Sequence, residues 1–154
     1  GENLTHIRKY ASNVPQNIAS PDDSILGITA TTAVEPSINQ IGIGPEDTPA
    51  DASIVWKGQR HTAAGTASAV TPTNLGPGTT ASTTTAGENH TGEPTYTAGA
   101  IVFRLGLNLR SSHSVIFDPE TCLTCPATAN NGITFYPIHA SQTVLVGMML
   151  YFHE

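Results

Sequence analysis

Hydrophobic residues occur along this chain in short runs that alternate with polar residues, a pattern typical of β-strands. The runs are rich in β-branched residues, and Pro, Gly, Asn or Asp closes each of them. No segment carries a strong helical pattern. The sequence therefore predicts an all-β sandwich or barrel, with strands over residues 4–10, 25–34, 38–43, 53–59, 100–109, 114–117, 132–136 and 143–152.

The last predicted strand, residues 143–152, is apolar on both faces. One face carries Val144, Val146, Met148, Leu150 and Phe152, and the other carries Leu145, Met149 and Tyr151. A strand in a small β-domain normally leaves one face in water. Because both faces of this strand are apolar, something other than the main core must cover its second face. A partner subunit or the chain's own Thr-rich segment could cover it. The candidate residues for a subunit interface are Val144, Val146, Met148, Met149, Tyr151 and the single tryptophan, Trp56.

The composition changes between residues 61 and 99. This stretch has no Lys or Arg, carries only Glu88 and Glu93 as acids, and is dominated by Thr, Ala, Gly and Pro. It has too few large apolar residues to build a core of its own. We therefore expect a single β-domain over residues 1–154, with residues 61–99 as a low-complexity extended insertion. It would lie across a neighbouring subunit or form a hairpin over the barrel.

Charged residues make up only 12% of the sequence, and the formal net charge is −6. Six scattered Lys and Arg residues argue against direct nucleic-acid binding, which depends on clustered cations. The longest apolar run, residues 144–152, is shorter than the ~20 residues of a membrane span. A surface of Thr, Ser, Asn, Gly and Ala suits packing against other subunits, because burying it avoids desolvating charges. A secreted or heat-adapted monomer with a Thr-rich surface is the alternative.

The most distinctive short motif is Cys122-Leu123-Thr124-Cys125. A redox dithiol would usually lie at the start of a helix, and a zinc knuckle would need two further ligands. A local disulfide between Cys122 and Cys125 is the most natural interpretation in an oxidising compartment. An inter-subunit disulfide and a pair of buried free thiols are the alternatives.

Other candidate sites are weak. Glu46, Asp47 and Asp51 could bind calcium through their carboxylates, but they lack the EF-hand spacing, and a solvated acidic turn is favoured. The six histidines form no close pair of the kind found in metal motifs. No G-x-S-x-G elbow or Cys–His nucleophile pattern is present. We therefore expect no metal, no cofactor and no enzymatic activity.

The C-terminal part of the chain, residues 100–154, resembles the single-jelly-roll capsid and capsid-decoration proteins of icosahedral viruses and phages. The likeness lies in the Asn130-Asn131-Gly132 turn, the aromatic strand with Pro137, and the long hydrophobic strand that ends at Phe152. It implies an antiparallel jelly-roll sandwich or barrel. It also implies a virion subunit that assembles with its own copies and with other shell proteins. The chain is shorter than most such proteins and lacks the basic arm that packages the genome in many of them.

Two other functions stay open at this point. One is a secreted surface-filament subunit at the cell surface, in which residues 1–10 of one copy complete the sheet of the next. The other is a β-sandwich carbohydrate-binding module or enzyme, for which a pocket lined by Trp56, Tyr96 or Tyr136 would be required.

Overall fold

The computed structural model describes residues 8–18, 23–78, 80–138 and 143–154. These residues form strands, turns and loops and contain no helix, so none of them belongs to a helix that could cross a bilayer. Thirteen strands are present in these ranges: β1 (Arg8–Ser12), β2 (Gln16–Ile18), β3 (Leu26–Thr29), β4 (Ser37–Pro45), β5 (Ser53–Ala63), β6 (Thr66–Val70), β7 (Thr73–Asn74), β8 (Thr85–Gly92), β9 (Thr95–Asn108), β10 (His113–Ile116), β11 (Leu123–Thr124), β12 (Gly132–Ile138) and β13 (Val144–His153).

Two antiparallel sheets pack face to face. Sheet A has the order β10-β4-β13-β1-β7, with β11 added beside β4 and β2 beside β13. Sheet B has the order β6-β8-β3-β12-β5-β9. The predicted all-β sandwich is thus confirmed.

Eight strands pair in a nested order. Strand β1 pairs with β13, β3 with β12, β4 with β10, and β5 with β9. Each pair therefore encloses the next one along the sequence. The pairs β1·β13 and β4·β10 lie in sheet A, and β3·β12 and β5·β9 lie in sheet B. The chain is therefore one long antiparallel ribbon whose successive pairs lie alternately in the two sheets.

Alternation along the strands builds the core between the sheets. On β13, Val144, Val146, Met148, Leu150 and Phe152 are buried, and the residues between them are half-buried. From sheet B, Trp56, Ile133 and Phe135 enter the same core. Phe135 meets Phe103 edge-on, with ring centroids 5.7 Å apart. Each such fully buried side chain contributes about 1.5–3 kcal/mol through the apolar area it removes from water.

Sheet B curls strongly at one end. Strand β5 at one side of the sheet connects to β6 at the opposite edge through residues 64–65, and β8 connects to β9 through residues 93–94. In a flat sheet, β5 and β6 would lie about 19 Å apart, and so would β8 and β9. A two-residue connection spans only about 11 Å, so the sheet must curl to bring these strand ends together. Gly65 has φ +74°, and a Cβ there would lie 2.4 Å from the Gly92 carbonyl oxygen. Only glycine fits where the connection at residues 64–65 lies so close to the one at residues 93–94.

The strand predictions agree with the structure best where burial is deepest. Strands β4, β5 and β12 include the whole of the predicted segments and extend up to four residues beyond them, and β13 matches its predicted segment to within one residue at each end. Strand β3 ends at Thr29, well before the predicted end at residue 34, because the chain turns at residues 32–33 to cross to sheet A. The predicted first strand lies partly outside the described residues, and β1 begins at Arg8.

Residues 61–99 contain β6, β7 and β8 together with the ends of β5 and β9. Strands β6 and β8 extend sheet B beyond β3, and β7 pairs with β1 in sheet A. Much of this segment is therefore ordered by pairing within its own chain.

Candidate functional site

The outer face of sheet A, which points away from the sandwich core, forms a groove of about 590 Å³. It lies over the centre of the sheet because glycine replaces larger residues on its floor, at Gly42, Gly44 and Gly147. Its sides include Tyr10 and Met149. The groove is thus wide, shallow and partly apolar, which suits contact with a protein surface better than enclosure of a small substrate.

The glycines on this face accommodate neighbouring side chains. A Cβ at Gly147 would lie 1.9 Å from Glu46 Oε2, and one at Gly44 would lie 2.5 Å from Ser112 Oγ. At Gly42 the nearest atoms belong to Met149, at 3.2 Å. The side chains of Met149 and Glu46 therefore lie over the glycines of the neighbouring strands and do not project far from the outer face of sheet A.

An aromatic pair continues this outer face. Tyr10 of β1 is the register partner of Tyr151 of β13, and their ring centroids lie 5.3 Å apart at an angle of 50°. Both rings are half-buried. The second face of β13 is thus covered only in part by the chain itself.

The structure divides the six predicted interface residues into two groups. Met149 and Tyr151 lie on the outer face of sheet A and are half-buried. The other four are committed to the chain's own core, with exposed fractions of 0% for Val144, 3% for Val146, 3% for Met148 and 2% for Trp56. Only Met149 and Tyr151 of this set are accessible to a partner of the folded chain.

A second cluster, buried and polar, lies inside the curl of sheet B on the side away from the main core. Its centre is His61 of β5, which is 2% exposed. His61 Nδ1 is 3.0 Å from Thr134 Oγ1, and Nε2 is 3.1 Å from Thr29 Oγ1. Burial, and secondarily the nearby His90, lower the pKa of His61 from 6.5 to about 4. His61 is therefore neutral at pH 7.

Histidine 90 belongs to the same cluster. Its Nδ1 lies 3.2 Å from the Ser24 carbonyl oxygen. Burial lowers its pKa, and the Ser24 hydrogen bond and the Glu93 carboxylate partly oppose that shift. The Ser24 hydroxyl donates to Glu93 and lies 2.8 Å from the Tyr96 hydroxyl. These polar groups are paired with one another and stabilise the curl.

The three aromatic residues considered for a sugar pocket are divided between the sandwich core and the polar cluster. Trp56 lies in the sandwich core. Tyr96 and Tyr136 contact each other in the polar cluster, with ring centroids 5.0 Å apart. The Tyr136 hydroxyl donates to Gln59 Oε1 at 2.5 Å. The two tyrosines thus support the curl of sheet B.

Both cysteines are free thiols in the structure. Leu123 and Thr124 between them pair with Ile38 and Ser37 of β4, so the backbone is extended. Residues three apart in a strand lie about 10 Å apart on opposite faces, beyond the ~7 Å Cα separation that a disulfide can bridge. This geometry does not suit a local bridge between Cys122 and Cys125.

The two thiols differ in environment. Cys125 is fully buried, and burial raises its pKa to about 11, with Arg60 opposing the shift. Cys122 is half-buried, and its Sγ lies 3.4 Å from the Asp118 carbonyl oxygen. The more accessible thiol is therefore Cys122.

The three acids considered for calcium are used separately in hydrogen bonds. Asp47 Oδ2 accepts from the Leu145 amide at 3.1 Å, and Asp51 accepts from the Asn108 side chain. Glu46 lies against Gly147. Within the described parts of the chain, no group of three or more His, Cys, Asp or Glu residues is placed to hold a metal ion.

Two charged residues fasten the Thr-rich segment to sheet A. Lys9 is 1% exposed, and its Nζ donates to Thr80 O at 2.5 Å and to the Asn74 side chain. Glu154 accepts from the amides of Thr83 and Thr84 at 3.1 and 3.0 Å. Burial alone would raise the pKa of Glu154, but its hydrogen bonds to Thr83 and Thr84 lower it. Sequence patterns gave no sign of these contacts, because each joins residues more than sixty positions apart.

Comparison with known proteins gives no relative: no family model, no curated protein and no solved structure matches this chain.

Proposed function

We propose that the chain is a non-enzymatic structural subunit of a viral capsid shell or its decoration, and that it acts by assembling with its own copies and with other shell proteins. The observation that carries this proposal is the nested strand order. A ribbon whose pairs β1·β13, β3·β12, β4·β10 and β5·β9 alternate between two sheets is the arrangement expected of a jelly roll. Jelly rolls occur in capsid subunits, and also in lectins and cupins.

The surface of the molecule favours a capsid subunit over a lectin or a cupin. The outer face of sheet A presents Met149 and the Tyr10–Tyr151 pair, partly covered, around a shallow groove. Aromatic residues and methionine are enriched at protein interfaces, and Lys, Glu and Asp are depleted there. Only 12% of the whole sequence is charged. A large neutral surface can be buried against neighbours without desolvating charges.

Mass photometry and negative-stain electron microscopy of the purified chain test this proposal. The expected result, over a range of salt and protein concentration, is a discrete high-mass ring or shell. A species that stays monomeric under every condition, with a folded core by circular dichroism, contradicts it.

A matched pair of variants tests the surface. Met149→Lys places a charge on the outer face of sheet A and should reduce the assembled fraction strongly, because a charge buried at a contact must be desolvated. Thr62→Lys places the same charge at an exposed position at the end of β5 and should assemble like the parent chain. Equal assembly of both variants would show that the outer face of sheet A is not a contact.

The same assay separates shell assembly from strand donation. In this structure Arg8–Ser12 pairs with β13 of its own chain. If residues 1–10 are donated between copies in a filament, deleting them should leave monomers and no filament. A shell subunit should still form contacts through its other surfaces.

A further inference from the structure

The edge strands on the two sides of the sandwich differ in length. On one side the edge strands are β6 and β7, which are five and two residues long. On the other side they are β10, with four residues, and β9, with fourteen. Among the described strands, β9 pairs only with β5. A long open strand edge presents a row of backbone donors and acceptors that another strand can pair with.

The two halves of β9 differ in regularity. Between Thr95 and Phe103 its pairing with β5 shifts register three times, and Gly99 has φ +74°. Such bulges twist an edge and hinder pairing with another strand. From Phe103 to Asn108 the register is unbroken. The regular half is therefore the part of the edge that can be paired.

The hydrophobic core is incompletely covered on this same side. In the described part of the chain, seven partly buried hydrophobic residues pack against the core, and five of them lie between residues 102 and 117: Val102, Leu105, Leu107, Val115 and Phe117. Phe117 also meets the ring of Phe103 edge-on, with centroids 6.4 Å apart. Ile116, on β10, is 75% exposed. Open backbone and half-covered apolar side chains thus coincide on the β9–β10 side.

We propose that the regular half of β9 is a two-fold docking edge for a second copy of this chain, paired antiparallel about Gly106 so that the two B sheets become continuous. This proposal specifies one contact of the self-assembly proposed above. The register about Gly106 places Leu105 opposite the partner's Leu107, so the half-buried leucines of the two copies cover one another.

The charges on this side suit a second copy better than a strongly charged partner. The register about Gly106 places Arg104 opposite the partner's Asn108 and avoids an Arg–Arg pair. The exposed charged residues on this side have both signs: Arg104 and Arg110 are basic, and Asp118 and Glu120 are acidic. A two-fold contact uses the same patch on both copies and therefore needs such a mixed surface.

A pair of variants at the two-fold position tests the edge. Gly106 is exposed, and a Cβ there would meet no atom within 4 Å, so the monomer tolerates a side chain. Gly106→Lys places two ammonium groups opposite each other and should raise the dimer dissociation constant at least about tenfold, measured by sedimentation velocity. Gly106→Gln is the uncharged control of similar length. A Lys variant that dimerises as tightly as the Gln variant overturns the proposal.

Cross-linking tests the register independently of affinity. In antiparallel pairs, opposing Cα atoms are about 4.5–5.5 Å apart, which is within the range of a disulfide. Gly106→Cys in a Cys122→Ser chain should therefore form a covalent dimer under mild oxidation. Thr97→Cys in the same chain lies on the bulged half of β9 and should stay monomeric. Equal cross-linking of the two, or none at position 106, overturns the proposal.

The outcomes separate this edge from the proposed function. Large particles that form unchanged with Gly106→Lys leave shell assembly standing and remove the β9 contact. A dimer that depends on Gly106 but never grows into a particle supports the contact and contradicts the shell. A chain that stays monomeric at all concentrations contradicts both.

Discussion

Acidification should destabilise this fold through the buried side chain of His61. The ring lies inside the curl of sheet B, is 2% exposed, and contacts the hydroxyls of Thr29 and Thr134. Burial and the neighbouring His90 lower its pKa from 6.5 to about 4. Protonation in the folded state would place a cation where water cannot solvate it.

The sign and size of the effect follow from the two pKa values. Because the folded pKa is the lower one, the unfolded chain takes up the proton first as the pH falls. The contribution of neutral His61 to the free energy of unfolding is therefore complete above pH 6.5, declines below it, and is lost once the pH passes below about 4. Linkage gives a loss of about 2 kcal/mol on going from pH 7.5 to pH 5, and about 3 kcal/mol by pH 4.

Urea unfolding followed by circular dichroism at pH 7.5 and pH 5 measures this loss. His61→Gln keeps an amide that can bond to the two hydroxyls but cannot titrate. Between pH 7.5 and pH 5, the free energy of unfolding of this variant should therefore fall by about 2 kcal/mol less than that of the parent chain. His113→Gln removes an exposed histidine on β10 and should keep the full pH dependence. If the His61 variant loses as much stability as the parent chain, this explanation is refuted.

Three other predictions concern the fastening, the packing and the thiols. Glu154→Gln should weaken the attachment of the Thr-rich segment by about 1 kcal/mol at pH 7, seen as faster amide exchange over residues 82–84, because charged hydrogen bonds are replaced by neutral ones. Gly132→Ala would bring a Cβ to 2.0 Å from the Ile28 carbonyl oxygen and should cost about 1–3 kcal/mol or more through forced backbone movement; Gly78→Ala, with no atom within 4 Å, should be near neutral in the same melting experiment. Iodoacetamide should label Cys122 in the folded chain and reach Cys125 only on unfolding, as read by mass spectrometry; equal labelling rates would contradict the buried position of Cys125.

The sequence pattern was most informative where its periodicity is strong. The alternation over residues 144–152 predicted which side chains of β13 share a face, and all five residues of the face that begins with Val144 are buried. The alternation of Phe103, Leu105 and Leu107 with Arg104 likewise matches the burial along β9. Period-two alternation is a local property of the chain, so it can be deduced from neighbouring residues alone.

The pattern was least informative about residues 61–99. A Thr- and Gly-rich composition gives no hydrophobic alternation, so β6, β7 and β8 were not predicted. Their order comes from pairing with β3 and β1, and from the buried contacts of Lys9 and Glu154 with residues that are distant in sequence. The same is true of the polar cluster around His61, whose members come from five strands: β3, β5, β8, β9 and β12.

The sequence by itself determined that this protein is all-β, that it has little charge, and which residues of its clearest strands share a face. The tertiary structure alone decided that the ribbon folds into nested pairs, that sheet B curls over a polar cluster, and that Val144, Val146, Met148 and Trp56 are core residues while Met149 and Tyr151 remain accessible. The reason is physical: side-chain direction along a strand is fixed by local backbone geometry. The choice of which strand covers which face depends instead on burying apolar surface and pairing backbone groups between distant parts of the chain.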